Sequence, residues 1–227
     1  MLKKVSSQLT PDSTNLFSKK TKDRILASSL ILFNESGFNN VTTASIAKHT
    51  GILEGSLWYH FNSKKDILTA HIQLLKKLFF SSNQKAKSKD FETIIFDFFQ
   101  SYDIIWDFRY ILRDNFQKPF IDDETVLRSV FEINSSLDQW AENRIKHSYQ
   151  NGLLEMDSSE IENLSEIILV MGRYWLDFSM KKYPEDDVKS LRVKGLYHII
   201  TILKPYLNTQ AIPIIEHLLE HNKVQQI

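Results

Sequence analysis

Residues 42–66 read Thr-Thr-Ala-Ser-Ile-Ala-Lys-His-Thr-Gly-Ile-Leu-Glu-Gly-Ser-Leu-Trp-Tyr-His-Phe-Asn-Ser-Lys-Lys-Asp, and few folds accommodate such a run. Thr42 and Thr43 are residue types that cap helix starts, and Ile46 and Ala47 begin a short apolar stretch behind them. Gly51 breaks that stretch and suits a backbone position at positive φ. Ile52 and Leu57 then give a second short helix its inward face. Ala47 is small where two helices must cross closely. Gly51 follows it by four residues, and Leu57 follows Gly51 by six. A small crossing residue, a turn glycine and a core anchor at this spacing predict a helix-turn-helix.

The outer face of the second helix carries Glu54, Ser56, Trp58, Tyr59 and His60. These side chains hydrogen-bond, and two of them are large aromatics; a helix with only a structural role would carry Lys, Glu and Gln there. Trp58 has two readings, on the outer face or wedged against the first helix. Lys64 and Lys65 open the next helix, where free backbone N–H groups and a cation can both meet a phosphate.

Charge is distributed to match. The formal net charge is zero, but residues 1–87 hold 13 Lys and Arg against 5 Asp and Glu, and residues 88–227 hold 15 against 23. The basic half is suited to a polyanion and the acidic half is not. The chain has no Cys, which excludes disulfides and thiolate metal sites and fits a cytoplasmic location. The amino terminus has no secretory pattern, and no apolar run approaches membrane-spanning length.

The pattern Thr-Thr-x-x-Ile-Ala…Gly-Ile-x-x-Gly-Ser-Leu-x-Tyr-His-Phe-x-Ser-Lys-x-Asp-Ile-Leu resembles the DNA-binding signature of the tetracycline-repressor (TetR) family. The preceding Ile-Leu-x-x-Ser-x-x-Leu-Phe-x-x-x-Gly-Phe, residues 25–38, resembles the family's first helix. Two positions depart from it. Leu53 stands where the family usually has a small capping hydroxyl, and Glu54 where it often has a basic or neutral polar residue. Leu53 cannot cap. Glu54 either accepts from a cytosine amino group or complements the helix dipole. The resemblance implies DNA binding, with Tyr59 and Lys64 similar to the family's phosphate contacts, but it carries over no base code. The reading of this face is that Thr42, Ser56, Tyr59 and Lys64 hold phosphates. Thr43, Ser45, Leu53, Glu54, Gly55 and His60 then face base edges, with Trp58 undecided.

Helical periodicity continues along the chain. Residues 1–17 read as a flexible arm, 18–63 as the helix-turn-helix DNA-binding domain, and 64–83 as a linking helix. Residues 84–227 read as an all-α effector-binding and dimerisation domain. Its helices are expected over about 90–117 (breaking near Asp107), 122–151, 158–182, 186–207 and 211–222. No strand alternation and no internal repeat is present.

Aromatic and basic residues of the body are candidates for an effector pocket: Tyr102, Trp106, Arg109, Arg113, Trp140, Arg144, Tyr174 and Trp175. Core tryptophans and surface arginines would fit the same positions. Gly172 and Gly195 interrupt two strong helices at about 1 kcal/mol each against Ala. In the resembled family the last two long helices form a four-helix dimer interface, which would place Gly172, Trp175, Gly195 and Ile199 near it. The alternative is that the glycines pack inside one subunit. His217-Leu-Leu-Glu-His221 matches H-x-x-E-H, but no downstream third ligand follows. No cofactor motif is present.

The expectation is a DNA-binding regulator, not an enzyme. It would be a homodimeric repressor released from a palindromic operator by a small apolar or amphipathic effector. The alternatives are an effector-independent DNA-binding regulator, or a helical metal-dependent enzyme using His217 and His221.

Overall fold

Among the described residues, the periodic segments become helices. The computed structural model describes residues 9–10, 14–85, 88–112 and 123–224, with side chains in 80–85 and 221–224 outside the description. In chain order the helices are α1 (Thr21–Ser36), α2 (Thr43–Thr50), α3 (Glu54–His60), α4 (Lys64–Lys85), α5 (Phe91–Asp107), α6 (Arg109–Leu112), α7 (Glu124–Gln150), α8 (Ile161–Lys182), α9 (Val188–Leu203) and α10 (Ala211–Val224). Short 3-10 turns, Ser158–Glu160 and Lys204–Tyr206, precede α8 and follow α9. Among the described residues there is no β-strand, only an isolated bridge between Leu154 and Leu207.

Local chemistry sets the ends. Thr42 caps α2 in a reciprocal box with Ser45. Asp157 accepts from the Ser159 N–H and Asp187 from the Lys189 and Ser190 N–H groups, so both starts are satisfied. Pro184 stops α8, Pro205 tightens the end of α9 into a 3-10 turn, and Pro213 sits in the first turn of α10.

The chain divides into two compact units. The first comprises residues 1–80 and 103–134, and the second 81–102 and 135–227. In the first unit, Ile25, Leu30, Phe33, Ile46, Leu57, Ile67, Leu68, Leu75, Phe108 and Ile111 are fully buried. A polar chain runs through this core. Asn34 donates to the Asp107 carbonyl (2.6 Å) and accepts from the Tyr110 N–H (3.1 Å). His71 lies 3.0 Å from the Leu26 carbonyl and 2.6 Å from the Tyr110 hydroxyl. A carbonyl only accepts, so Nε2 carries the proton and Nδ1 accepts from Tyr110. Burial lowers the His71 pKa to about 4, against a partial rise from the Leu26 carbonyl.

Within the stretch read as a flexible arm, Leu9 and Thr10 are buried. Thr10 donates from its backbone N–H and its hydroxyl to one Asp107 carboxylate oxygen, 3.0 and 2.5 Å away. A buried carboxylate needs donors, and Thr10 supplies two of them.

The second unit is built on α8 packed against α9, with the first part of α5, the second part of α7, and α10. Tyr102 donates to the Arg192 carbonyl (2.8 Å), and the Trp175 indole N–H to the Leu191 carbonyl (2.7 Å). No described helix is long and apolar enough to cross a membrane.

Candidate nucleic-acid interface

The helix-turn-helix is closed by backbone chemistry. Gly51 has φ 75° and ψ 39°, the left-handed conformation that its lack of Cβ permits. Its N–H reaches the Lys48 carbonyl, and the Ile52 N–H the Ala47 carbonyl. This double closure ends α2 and starts the turn. Ala47 and Leu57 are buried at the crossing. Arg24 on α1 donates to the Thr50 carbonyl (2.5 Å), which satisfies the end of α2 from outside.

This packing turns the recognition face outward. Leu53 is 80% exposed, Tyr59 87% and Trp58 43%. Gly55 and Ser56 are exposed, and nothing lies within 4 Å of a Cβ built on Gly55. His60 is half-buried, its ring meeting that of Tyr59 edge-on at 5.2 Å. Thr42 is exposed, while the Ser45 hydroxyl serves the cap, donating to the Thr42 carbonyl (2.7 Å). Leu53 makes no side-chain cap, as its chemistry dictates.

Two residues of this face have partners that spacing alone does not indicate. Lys64 turns to the loop after α1. Its ammonium donates to the carbonyls of Phe38 (2.6 Å) and Val41 (2.8 Å), with Asn39 at 3.5 Å. It also lies 4.4 Å from the Phe38 ring centroid. The loop after α1 leaves carbonyls without helical partners, and a three-donor cation gathers them. Partial desolvation lowers the Lys64 pKa. Glu54 is engaged from the other helix: the Thr43 hydroxyl donates to its Oε1 at 2.7 Å. No reading of α3 alone would find that bond.

The residues expected to line an effector pocket have the following partners, unit by unit. Tyr102 and Trp175 pack together at Gly195. Arg144 is paired with buried Asp97 at 3.5 Å and stacks over Trp140, 5.3 Å from its ring centroid. Burial lowers the Arg144 pKa, partly offset by Asp97, and lowers that of His147 with a further push from Arg144. Arg109 donates to the Trp106 carbonyl and covers its ring. Tyr174 is partly exposed, and Arg113 lies outside the described residues.

The second unit does hold a cavity of about 40 Å³. Ile94, Ile95, Phe98, Phe99, Ile145, Ser148, Leu153, Leu154, Ile200, Leu203, Leu207 and Ile215 line it, none of them among the eight. Its one hydroxyl, on Ser148, already donates to the Arg144 carbonyl. The lining is apolar apart from that hydroxyl, with Phe98 and Phe99 its aromatic members.

The four residues expected near a dimer interface differ in exposure. Gly195, Trp175 and Ile199 are buried within the chain, and only Gly172 is half-exposed. Gly195 is small because Trp175 and Tyr102 fill the space beside it. The large exposed apolar residues of α8 are Ile167, Val170, Tyr174, Phe178 and Met180, and the first four recur three or four residues apart on one face.

Among the described residues no group of three or more His, Asp or Glu could hold a metal. The side chain of His221 lies outside the described residues, so the H-x-x-E-H pair is not placed.

Comparison with known proteins agrees with this geometry. The profile of "Bacterial regulatory proteins, tetR family" matches residues 25–70, and that of the TetR "Bacterial transcriptional repressor" matches residues 73–212. The biofilm operon icaADBC HTH-type negative transcriptional regulator IcaR of Staphylococcus aureus is 25% identical over 189 residues, 80% of this chain and 97% of that protein. A solved TetR-family regulator from Marinobacter aquaeolei is 24% identical, with a TM-score of 0.68 over 89% of this chain and 98% of its own. A SmeT–triclosan complex shares the fold at 16% identity and a TM-score of 0.53, covering 84% of this chain and 93% of that one. These relatives are transcription regulators rather than enzymes. Together, the two profiles and the all-helical fold with its amino-terminal helix-turn-helix make this chain a member of the TetR family of DNA-binding transcriptional regulators.

Proposed function

We propose that the chain is a cytoplasmic homodimeric repressor that binds a palindromic operator and leaves it when a small apolar or amphipathic effector binds the body. The observation that carries the DNA-binding part is the outward face of α3. Leu53, Glu54, Ser56, Trp58 and Tyr59 are all exposed beside a helix start whose Thr42 is also exposed. In this reading Thr42, Ser56 and Tyr59 hold phosphates, Thr43, Ser45, Leu53, Glu54, Gly55, Trp58 and His60 face bases, and Lys64 shapes the loop beside them. Residues 18–63 form the DNA-binding domain, 64–83 link it, and 84–227 bind the effector and dimerise.

The α8 stripe of Ile167, Val170, Tyr174 and Phe178 supports dimerisation, since exposed apolar stripes at helical spacing pack against another helix. An apolar effector fits the lining of the cavity in the second unit. At about 40 Å³ that cavity holds little more than water as it stands, so a ligand must widen it. The effector would act by favouring a body conformation in which two recognition helices no longer match major grooves about 34–36 Å apart.

Selection from a random duplex pool followed by footprinting tests this reading. The expected result is two protected half-sites related by a dyad, bound by a particle of twice the 26.6 kDa chain mass. Phe178→Glu should give a monomer that has lost operator affinity. A wild-type monomer at micromolar concentration would remove the basis for palindromic recognition.

A further inference from the structure

The bond between Thr43 and Glu54 has a consequence for base choice. Thr43 is the first residue of α2 and Glu54 the first of α3, so the bond joins the starts of both helices of the motif. The hydroxyl must be the donor, because a carboxylate only accepts. Oε1 is therefore occupied, and the Glu54 side chain is held in one orientation. Oε2 has no partner among the described residues, and the residue is exposed. Its neighbours on the outer face, Leu53 and Ser56, are exposed as well. What the pair presents outward is a fixed acceptor carrying negative charge.

Such a group discriminates among base edges. In the major groove, guanine offers two acceptors, O6 and N7, and thymine offers the O4 acceptor beside a methyl group. Both repel a carboxylate. Adenine offers the N6 donor, but its N7 acceptor lies alongside. Cytosine alone offers the N4 donor without a neighbouring acceptor. The charge carries a penalty near phosphates, on the order of 1 kcal/mol at about 4 Å in water. The Thr43 bond and the positive end of α2 offset it by holding the carboxylate at a helix start.

We propose that Glu54, oriented by Thr43, reads the N4 amino group of one cytosine in each operator half-site. This rests on α3 entering the major groove, as in the function proposed above.

Full-length wild type, Glu54→Gln and Thr43→Val are each selected against a random duplex pool, and the enriched sequences are compared. Binding to the wild-type operator and to unrelated DNA is then titrated at fixed salt. Glu54 is exposed and Gln has its shape, so melting of this variant should match wild type. Wild type should enrich cytosine at one position per half-site. Glu54→Gln should shift that position to adenine, because an amide pairs with both N6 and N7. Its affinity for the wild-type operator should fall about tenfold or more, with unrelated DNA bound equally well or better. Thr43→Val should keep the cytosine but weaken its selection several-fold, since the carboxylate is no longer held.

Identical base preference in wild type and Glu54→Gln would overturn the proposal. So would a loss of affinity by Glu54→Gln for all DNA alike, which would make Glu54 a brace only. A wild-type protein that enriches no sequence at all would instead overturn the DNA-binding reading on which this one rests.

Discussion

The Lys64 ammonium lies 2.6 Å from the Phe38 carbonyl and 4.4 Å from the centroid of the same residue's ring. One cation thus fixes the loop that leads into α2 against the first turn of α4. The chain uses a residue type suited to phosphate as an internal tie. Lys64→Ala should destabilise the protein by about 1 kcal/mol or more, through carbonyls left without a donor. The salt dependence of DNA binding should keep its slope. A slope reduced by about one unit would show that Lys64 also neutralises a phosphate. Urea denaturation and anisotropy titrations at several salt concentrations measure the two effects.

Gly195 is the second position where packing leaves no freedom. A Cβ there would meet Cδ1 of Trp175 and lie 2.6 Å from the Tyr102 hydroxyl, both rigid rings bonded to the backbone of α9. Gly195→Ala should destabilise by about 1–3 kcal/mol despite the better helix propensity of Ala. Gly172→Ala meets nothing within 4 Å and should be neutral or stabilising. Thermal unfolding of the two variants side by side checks the contrast.

His71 makes stability depend on pH. It is fully buried, and its folded pKa is near 4 against an ordinary 6.5. A histidine with a depressed folded pKa stabilises the fold above the unfolded value and loses that contribution as pH falls toward the folded one. The protein should therefore be about 2 kcal/mol less stable at pH 5 than at pH 7 on this account alone. His71→Asn cannot titrate, and should lower stability at both pH values while reducing the difference between them. Denaturant midpoints at the two pH values, with matched salt, give the result.

Leu53 presents an apolar side chain at 80% exposure beside Glu54. Within the proposed groove contact, its partner is a thymine methyl. Replacing the nearest operator thymine by uracil removes that methyl and should weaken binding about fourfold, the value of one buried methyl group. Leu53→Ala should bind both duplexes with nearly equal affinity. Retention of the full thymine preference by Leu53→Ala would place the methyl against another side chain.

The amino-acid sequence by itself determined the parts of this protein whose physics is local. The turn at Gly51, the cap at Thr42 and the core anchor Leu57 each depend on residues within a few positions, and the structure forms all three as the spacing requires. The helices of the body follow from apolar periodicity, and their ends from Asp157, Asp187, Pro184 and Pro205. Only tertiary structure decided which partners these side chains find. Lys64 is drawn to carbonyls 23 to 26 residues away, and Glu54 to a hydroxyl 11 residues away on another helix. Gly195 is explained by rings from α5 and α8, and the exposed stripe on α8 by what the rest of the chain leaves uncovered. Helix type and helix ends are short-range properties that composition and spacing encode directly. Partner choice depends on which distant surfaces the packed helices bring within about 3 Å, the reach of a hydrogen bond, and no local pattern carries that information.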